Sequence, residues 1–358
     1  MTSTGSGPTV QTTTQPSTGT STEPSTAPTT VPTASGSSST AAGDTSAIAA
    51  IIDPALVDIV STFSYQRASG AGTGIVLTAS GEILTNNHVI SGATSILVTD
   101  VGNGRTYTAS VVGYDAAHDV AVLQLQGASG LRTASISTTA ATVGDAVVAV
   151  GNAGGVGGTP VAAAGTVTAI GRSITASNEL TGTSEKLSGL IEVDANIQAG
   201  DSGGALVDPH GAVIGMNTAG SSSYSLSSDT GHGFAVPISD AMAIVSSVKA
   251  GQGSTTTHVG ASAFLGVLMG SANTGGPGRS SSAGALVGGV IAGDPAAKAG
   301  IVAGDTITSL AGRTVDSATT LGQLMIGYHP GDTVTIGWVD AAGTSRVATV
   351  TLASGPPA

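Results

Sequence analysis

Cysteine is absent from this 358-residue chain, which excludes a disulfide framework and any thiolate metal site. Aromatic residues reach only 3% against 40% hydrophobic residues in all, so the cores must be built from Val, Ile, Leu and Ala. Positive charge is scarce: 10 basic residues face 22 acidic ones, with no basic run. That excludes the footprint of a nucleic-acid or anionic-membrane binder. No stretch approaches the ~18 apolar residues of a transmembrane helix. Nor does a basic start lead into an apolar core, so no signal peptide is expected in the chain.

Metal-site patterns are missing as well. The His, Asp and Glu residues show neither i, i+4 helical pairing nor a short-loop carboxylate series, and no metal or cofactor is expected. Glycine-rich stretches such as Gly151-Asn152-Ala153-Gly154-Gly155 lack the Lys-Ser/Thr and the strand–helix context that phosphate binding requires, and read as loops.

The chain divides into three regions by composition. Residues 1–46 are dominated by Ser, Thr, Pro and Gly, cannot bury enough apolar surface to offset ordering entropy, and are expected to form a disordered tether. Residues 47–252 alternate short β-type runs with Gly-rich turns. Thr73–Leu77 and Glu82–Thr85 around Ala79-Ser80-Gly81 form one expected hairpin, and Ala205–Val207 with Ala212–Met216 around Asp208-Pro209-His210-Gly211 another. Many such strands suggest an all-β barrel or sandwich. From Ser239 to Ala250 the period becomes helical and ends at Gly251, and Gly251 to His258 reads as a linker. Residues 253–358 read as a compact module. Its expected strands are Ala285–Ile291 and Asp305–Leu310, with a short helix opening at Asp294-Pro295. A helix over Asp316–Ile326 and a final hairpin over Thr333–Val339 and Arg346–Leu352 complete it.

Chemistry concentrates in Gly200-Asp201-Ser202-Gly203-Gly204. A serine needs an adjacent base to act as a nucleophile, and an oxyanion needs backbone N–H donors, which flanking glycines leave accessible. Upstream, Asp119 opens the run Asp119–Gln126 on the face of Ala121, Leu123 and Leu125. A carboxylate there needs a partner, and a histidine ring supplies one. His88, after Leu84-Thr85-Asn86-Asn87, leads the six histidines on context. His118 is its competitor, but adjacent strand residues point to opposite faces. His210 sits at a hairpin tip, where exposure is expected.

Together, Gly72–Val76, Ile83–Val89, His118–Leu123, Gly200–Gly204 and Gly233–Ile238 resemble the HtrA (DegP-type) branch of the trypsin-like serine proteases, followed by a PDZ domain. The small-residue bias and the GDSGG variant are similar to secreted actinobacterial members of the PepA type. The resemblance implies a mostly β chain, with a chymotrypsin-like double β-barrel followed by a small α+β PDZ domain. It implies His88 as general base and acid, Asp119 as its orienter, Ser202 as nucleophile, and the N–H groups of Gly200 and Ser202 as the oxyanion hole. Asn196, Ile197 and Met216 become candidates for the S1 pocket. Phe264-Leu265-Gly266-Val267 becomes the carboxylate-binding loop of the PDZ domain, with Leu321 and Met325 across the groove. Arg172, followed by the polar run Ser173 to Ser188, matches the family's sensor loop. Asp201 differs from the family's frequent Asn. No activation site supplies the ammonium that pairs with this Asp in trypsin, so it must find another partner.

The expected function is serine endopeptidase action on unfolded or damaged protein, with C-terminal peptides bound at the PDZ domain. The family implies an extracytoplasmic place and a homotrimer. An envelope holdase or scaffold, in which binding dominates, stays open as the alternative.

Overall fold

The computed structural model describes residues 38–152, 158–178, 183–218, 224–226, 233–270 and 283–357. Of the tether expected over 1–46, residues 1–37 lie outside the described residues. The remainder is not tether. Ser38–Ile52 forms helix α1, because Ala47 to Ile52 is rich in Ala and Ile, and Ala49 and Ile52 bury against the core.

Six strands follow: β1 (Leu56–Phe63), β2 (Ala68–Val76), β3 (Glu82–Thr85), β4 (Ser95–Asp100), β5 (Thr106–Asp115) and β6 (Val120–Leu125), with the one-turn helix α2 (Asn87–Ile90) after β3. They neighbour one another in the order β5-β4-β1-β2-β3-β6, and β5 also pairs with β6, so the sheet closes into a barrel. Closure removes the unpaired edges that an open sheet would expose. Along β1 the two-residue period separates two jobs. Val57 and Ile59 enter the core of this barrel, while Leu56 joins a cluster drawn from both barrels.

The second barrel repeats the plan with β7 (Ala146–Gly151), β8 (Val161–Asn178), β9 (Thr183–Val193), β10 (Ala205–Val207), β11 (Val213–Thr218), β12 (Tyr224–Leu226) and β13 (Gly233–Pro237). Its order is β8-β7-β10-β11-β13-β9, closed by β8 against β9, with β12 added outside β8. Here the polar run expected as a loop from Ser173 to Ser188 is corrected. Apart from 179–182, which lie outside the described residues, it forms strand. Thr is a good strand former, and Ile174, Ala176 and Leu187 bury one face.

Helix α3 (Ile238–Lys249) closes this part, burying Ile238, Ala241, Val245 and Val248. The expected linker is also corrected. Thr257–Val259 forms β14, paired to β5 with Thr257 opposite Asp115. The hydroxyls of Thr256 and Thr257 donate to the buried Asp115 carboxylate at 2.9 and 2.6 Å. The first barrel therefore gains a strand from sequence beyond the boundary drawn at residue 252.

The last region pairs β15 (Ser262–Phe264) with β22 (Ala353–Gly355). Beside them stands a second sheet in the order β16 (Val267–Met269), β17 (Ala285–Val290), β18 (Thr306–Leu310), β20 (Thr333–Val339), β21 (Ser345–Thr351), with the short β19 (Arg313–Thr314) on β18. Helix α4 (Pro295–Lys298) starts with Pro in its first turn after Asp294. Helix α5 (Ala318–Met325) is capped by Ser317, whose hydroxyl accepts from the Thr320 N–H, as N-cap serines do. Its Leu321 and Leu324 enter the core of this region with Leu265, Ile307, Ile336 and Trp338.

Candidate active site

Asp119 does not start a strand. It ends the 3-10 turn Ala116–His118 with φ 55° and ψ 45°, a left-handed conformation in which a short polar side chain is tolerated. The bend aims its fully buried carboxylate back across 31 residues at helix α2. The His88 ring Nδ1 lies 2.8 Å from Oδ2 and 3.1 Å from Oδ1, and the His88 backbone N–H donates to Oδ1 at 2.9 Å. Thr218, at the end of β11 in the other barrel, donates its hydroxyl to Oδ2 at 3.1 Å. The Asn86 side chain donates to the Asp119 carbonyl at 2.9 Å. A carboxylate can only accept, so the His88 proton sits on Nδ1 and Nε2 is the basic nitrogen.

His118 goes elsewhere. Its Nδ1 lies 2.8 Å from Asp115 Oδ1, with the ring half exposed. Residues 116–118 form a 3-10 turn and not a strand, so the rule of opposite faces does not hold there, and the His118 ring bonds Asp115 and not Asp119.

Ser202 is buried in a turn that rests on β2. The Thr73 N–H donates to the Ser202 carbonyl at 2.8 Å, and the Thr73 hydroxyl to the Gly200 carbonyl at 2.8 Å. Gly203, at φ 83°, lies so close to Thr73 that a Cβ there would stand 2.1 Å from the Thr73 carbonyl oxygen. Only glycine meets both the angle and the approach. A Cβ on Gly72 would meet Val89, the neighbour of His88, at 2.7 Å and the Ser202 carbonyl at 3.2 Å. Thus β2 brings the serine turn to the histidine helix, at the seam between barrels.

Residues 72–216 match the family model of the trypsin-like peptidase domain, and 263–339 that of the PDZ domain. The chain is 32% identical over 322 residues to the serine protease PepD of Mycobacterium tuberculosis, covering 85% of this chain and 65% of that protein. It is 36% identical over 279 residues to the periplasmic serine endoprotease DegP of Escherichia coli K12, covering 76% and 55% respectively. The chain thus spans less than two thirds of the length of either relative. A solved structure of the HtrA-type protease AlgW with a tripeptide is 31% identical, covering 87% of this chain and 98% of that one at a TM-score of 0.48. The chain belongs to the HtrA-type serine protease family.

In this HtrA-type chain Asp201 finds its partner locally. The Gln198 N–H donates to its Oδ2 at 2.8 Å, and the Asp201 N–H returns to the Gln198 carbonyl at 3.0 Å. A closed turn stands where trypsin uses an ammonium.

Around the S1 candidates, Asn196 is exposed and Ile197 half-buried. Ile197 fills the space beside Gly233, where a Cβ would meet its Cδ1 and Cγ1 at 2.6 Å. Met216 is corrected. It is fully buried in the cluster shared by both barrels, whereas Ile197 packs against the separate core of the second barrel. The two therefore do not line one pocket. A register shift in the β10–β11 pairing sets Met216 with Ala205, Val207 and Val213 in that shared cluster.

The PDZ candidates do converge, with one exception. Phe264, Leu265, Val267, Leu321 and Met325 line one cavity of about 450 Å³ between β16 and α5. Gly266 is not in its lining; it backs onto Asp294, where a Cβ would lie 2.2 Å from the Asp294 Cβ. Sequence reasoning missed the far wall of this cavity, which includes Tyr65, Gln66, Gly92 and Pro357. Tyr65 stacks on Phe264 with ring centroids 5.7 Å apart, and the Gly92 N–H donates to the Pro357 carbonyl at 2.7 Å.

Arg172 is corrected from loop to strand. It faces Leu190 in the β8–β9 register, and its Nε pairs with Glu192 Oε2 at 2.5 Å.

Proposed function

We propose that the chain is a serine endopeptidase that cleaves unfolded or damaged protein outside the cytoplasm and binds peptides in its PDZ groove. The observation carrying this reading is the Asp119 carboxylate. It is fully buried, bonded to the His88 ring and main chain and to Thr218, and held beside the Ser202 turn.

On this reading the Ser202 Oγ attacks the scissile carbonyl as His88 Nε2 takes its proton. Asp119 stabilises the imidazolium through the Nδ1–H bond, and the N–H groups of Gly200 and Ser202 receive the oxyanion. His88 then protonates the leaving amine, and water repeats the sequence on the acyl-enzyme. The uncharged Asn196 beside the half-buried Ile197 favours Val, Ala, Ile or Leu at the cleaved position. The edge strand β16 offers unpaired backbone groups to an added peptide strand, with α5 as the opposite wall. The periplasmic placement of the similar DegP supports the compartment. Arg172 is read as a link between β8 and the strand that leads to the Gly200 turn.

A fluorophosphonate probe tests the catalytic reading. Ser202 should be labelled, Ser202→Ala should not, and casein degradation should vanish with the label. Binding of unfolded protein without labelling would instead support a holdase. Mass-spectrometric mapping of digests tests the pocket, and cuts mainly after Lys or Arg would overturn it.

A further inference from the structure

We propose that Asp58, Asn152 and Thr73 are positioning residues that hold the Gly200–Ser202 turn in the conformation an oxyanion needs. The proposal rests on the peptidase reading above. The three residues come from three places in sequence and form one buried line, with Asn152 joining Asp58 through its side chain and Thr73 through its backbone. Asp58 and Thr73 are cross-strand partners in β1 and β2, and Asn152 follows β7 in the other barrel. The Asn152 side-chain amide donates to Asp58 Oδ1 at 2.6 Å, the Asn152 backbone N–H donates to the Thr73 hydroxyl at 2.9 Å, and that hydroxyl donates to the Gly200 carbonyl at 2.8 Å. Asp58, Asn152 and Thr73 are 4%, 5% and 0% exposed.

The direction of this line is fixed by chemistry. A backbone N–H can only donate, so Asn152 occupies an acceptor lobe of the Thr73 oxygen and its single proton must go to Gly200. Gly200, at φ 99°, has no Cβ to hold it there, and a glycine rotates easily between conformations. Gripping its carbonyl from β2 restricts the peptides on both sides of its Cα, including the one whose N–H faces the oxyanion. The second grip, from the Thr73 N–H to the Ser202 carbonyl, holds the other end of the turn.

Asp58 explains the far end. A buried carboxylate is unfavourable without hydrogen bonds, and burial raises its pKa while the Asn152 bond opposes the rise. The same bond fixes the Asn152 side chain and so ties the β7 terminus to the first barrel. None of the three needs to touch substrate.

The test uses the full chain with a chromogenic peptide substrate. Thr73→Val keeps the shape and removes the hydroxyl, whereas Thr73→Ser keeps the hydroxyl. Thr73→Val should lower kcat about ten- to hundredfold, less than or equal to the loss of an oxyanion donor itself, with KM little changed. Thr73→Ser should return kcat to within about threefold of wild type, and Asp58→Asn should lower it roughly three- to tenfold with the same split from KM, as for one weakened hydrogen bond. If wild-type Ser202 takes no fluorophosphonate label, the peptidase reading falls and the relay with it. If Ser202 is labelled but folded Thr73→Val keeps wild-type kcat, or Thr73→Ser is no better than Thr73→Val, the relay alone is overturned. If Thr73→Val does not fold, Asp58→Asn decides: unchanged kcat overturns the relay, and a kcat-only loss supports it.

Discussion

Two His–Asp pairs stand four residues apart on the acidic side, and their bond lengths are the same. His88 Nδ1 lies 2.8 Å from Asp119 and His118 Nδ1 lies 2.8 Å from Asp115. What differs is everything around them. The His88 side chain is 8% exposed and the His118 side chain 50%. Asp119 joins two barrels, with Thr218 on its second oxygen, while Asp115 closes a local 3-10 turn and receives the hydroxyls of Thr256 and Thr257 at the start of β14. A short His–carboxylate contact is therefore not a site by itself. It becomes a candidate when the ring is shielded as well as the carboxylate and the pair is set beside the Ser202 turn.

The sharpest way to break this comparison is to delete each ring. His88→Ala should lower kcat roughly a thousandfold or more, as expected for a triad member acting as part of a unit. His118→Ala should leave kcat within about twofold, because its half-exposed ring bonds Asp115 and not Asp119. Equal losses, with both variants folded by circular dichroism, would show that the second pair belongs to the machinery.

The carboxylates sharpen it further. Asp119→Asn keeps the shape but imposes the wrong ring tautomer, and should cost about ten-thousandfold in kcat, by analogy with trypsin. Asp115→Asn should leave kcat intact and instead destabilise the fold by about 1–3 kcal/mol, the range for a buried hydrogen-bonding group losing its partners. Thermal melts and steady-state kinetics on both variants separate the roles. A stable but inactive Asp115→Asn would contradict this assignment.

These contrasts also mark what the sequence could disclose. His88, Asp119 and Ser202 carry local signals: a polar strand end, an acid heading an apolar run, and a glycine-flanked serine. The barrels were legible because short alternating runs between turn residues have few other folds open to them. Met216 misled because no local pattern discloses the register shift between β10 and β11 that sets it in the shared core. Arg172 misled because polar Ser and Thr runs read as loop until their buried partners are known. The wall of the PDZ cavity from Tyr65 and Gly92, and the Asp58–Asn152 bond across 94 residues, are made by contacts between distant elements. No local pattern announces them.

The smallest expected effect concerns a carboxylate that has neither kind of partnership. Asp53 begins the 3-10 turn between α1 and β1, and its Oδ1 is buried without a hydrogen-bond partner among the described residues. Burial pushes its pKa up from 3.8 to about 6. A raised carboxyl pKa means that the folded state holds the proton more tightly than the unfolded chain does. Stability should therefore fall as pH rises from about 4 to about 6, and the penalty should persist at pH 7. Because the group is only partly buried, a discounted ~1 kcal/mol is expected, or roughly 2–4 °C in Tm for a domain of this size. Asp53→Asn should raise Tm by that amount at pH 7 and by nothing near pH 4, while leaving kcat unchanged. The measurement is the difference between wild-type and Asp53→Asn melts across this window, which cancels the titration of every other group common to both. A difference that stays flat with pH would mean that Asp53 keeps an ordinary carboxylate pKa, and that burial without a partner does not set it apart from the two paired acids.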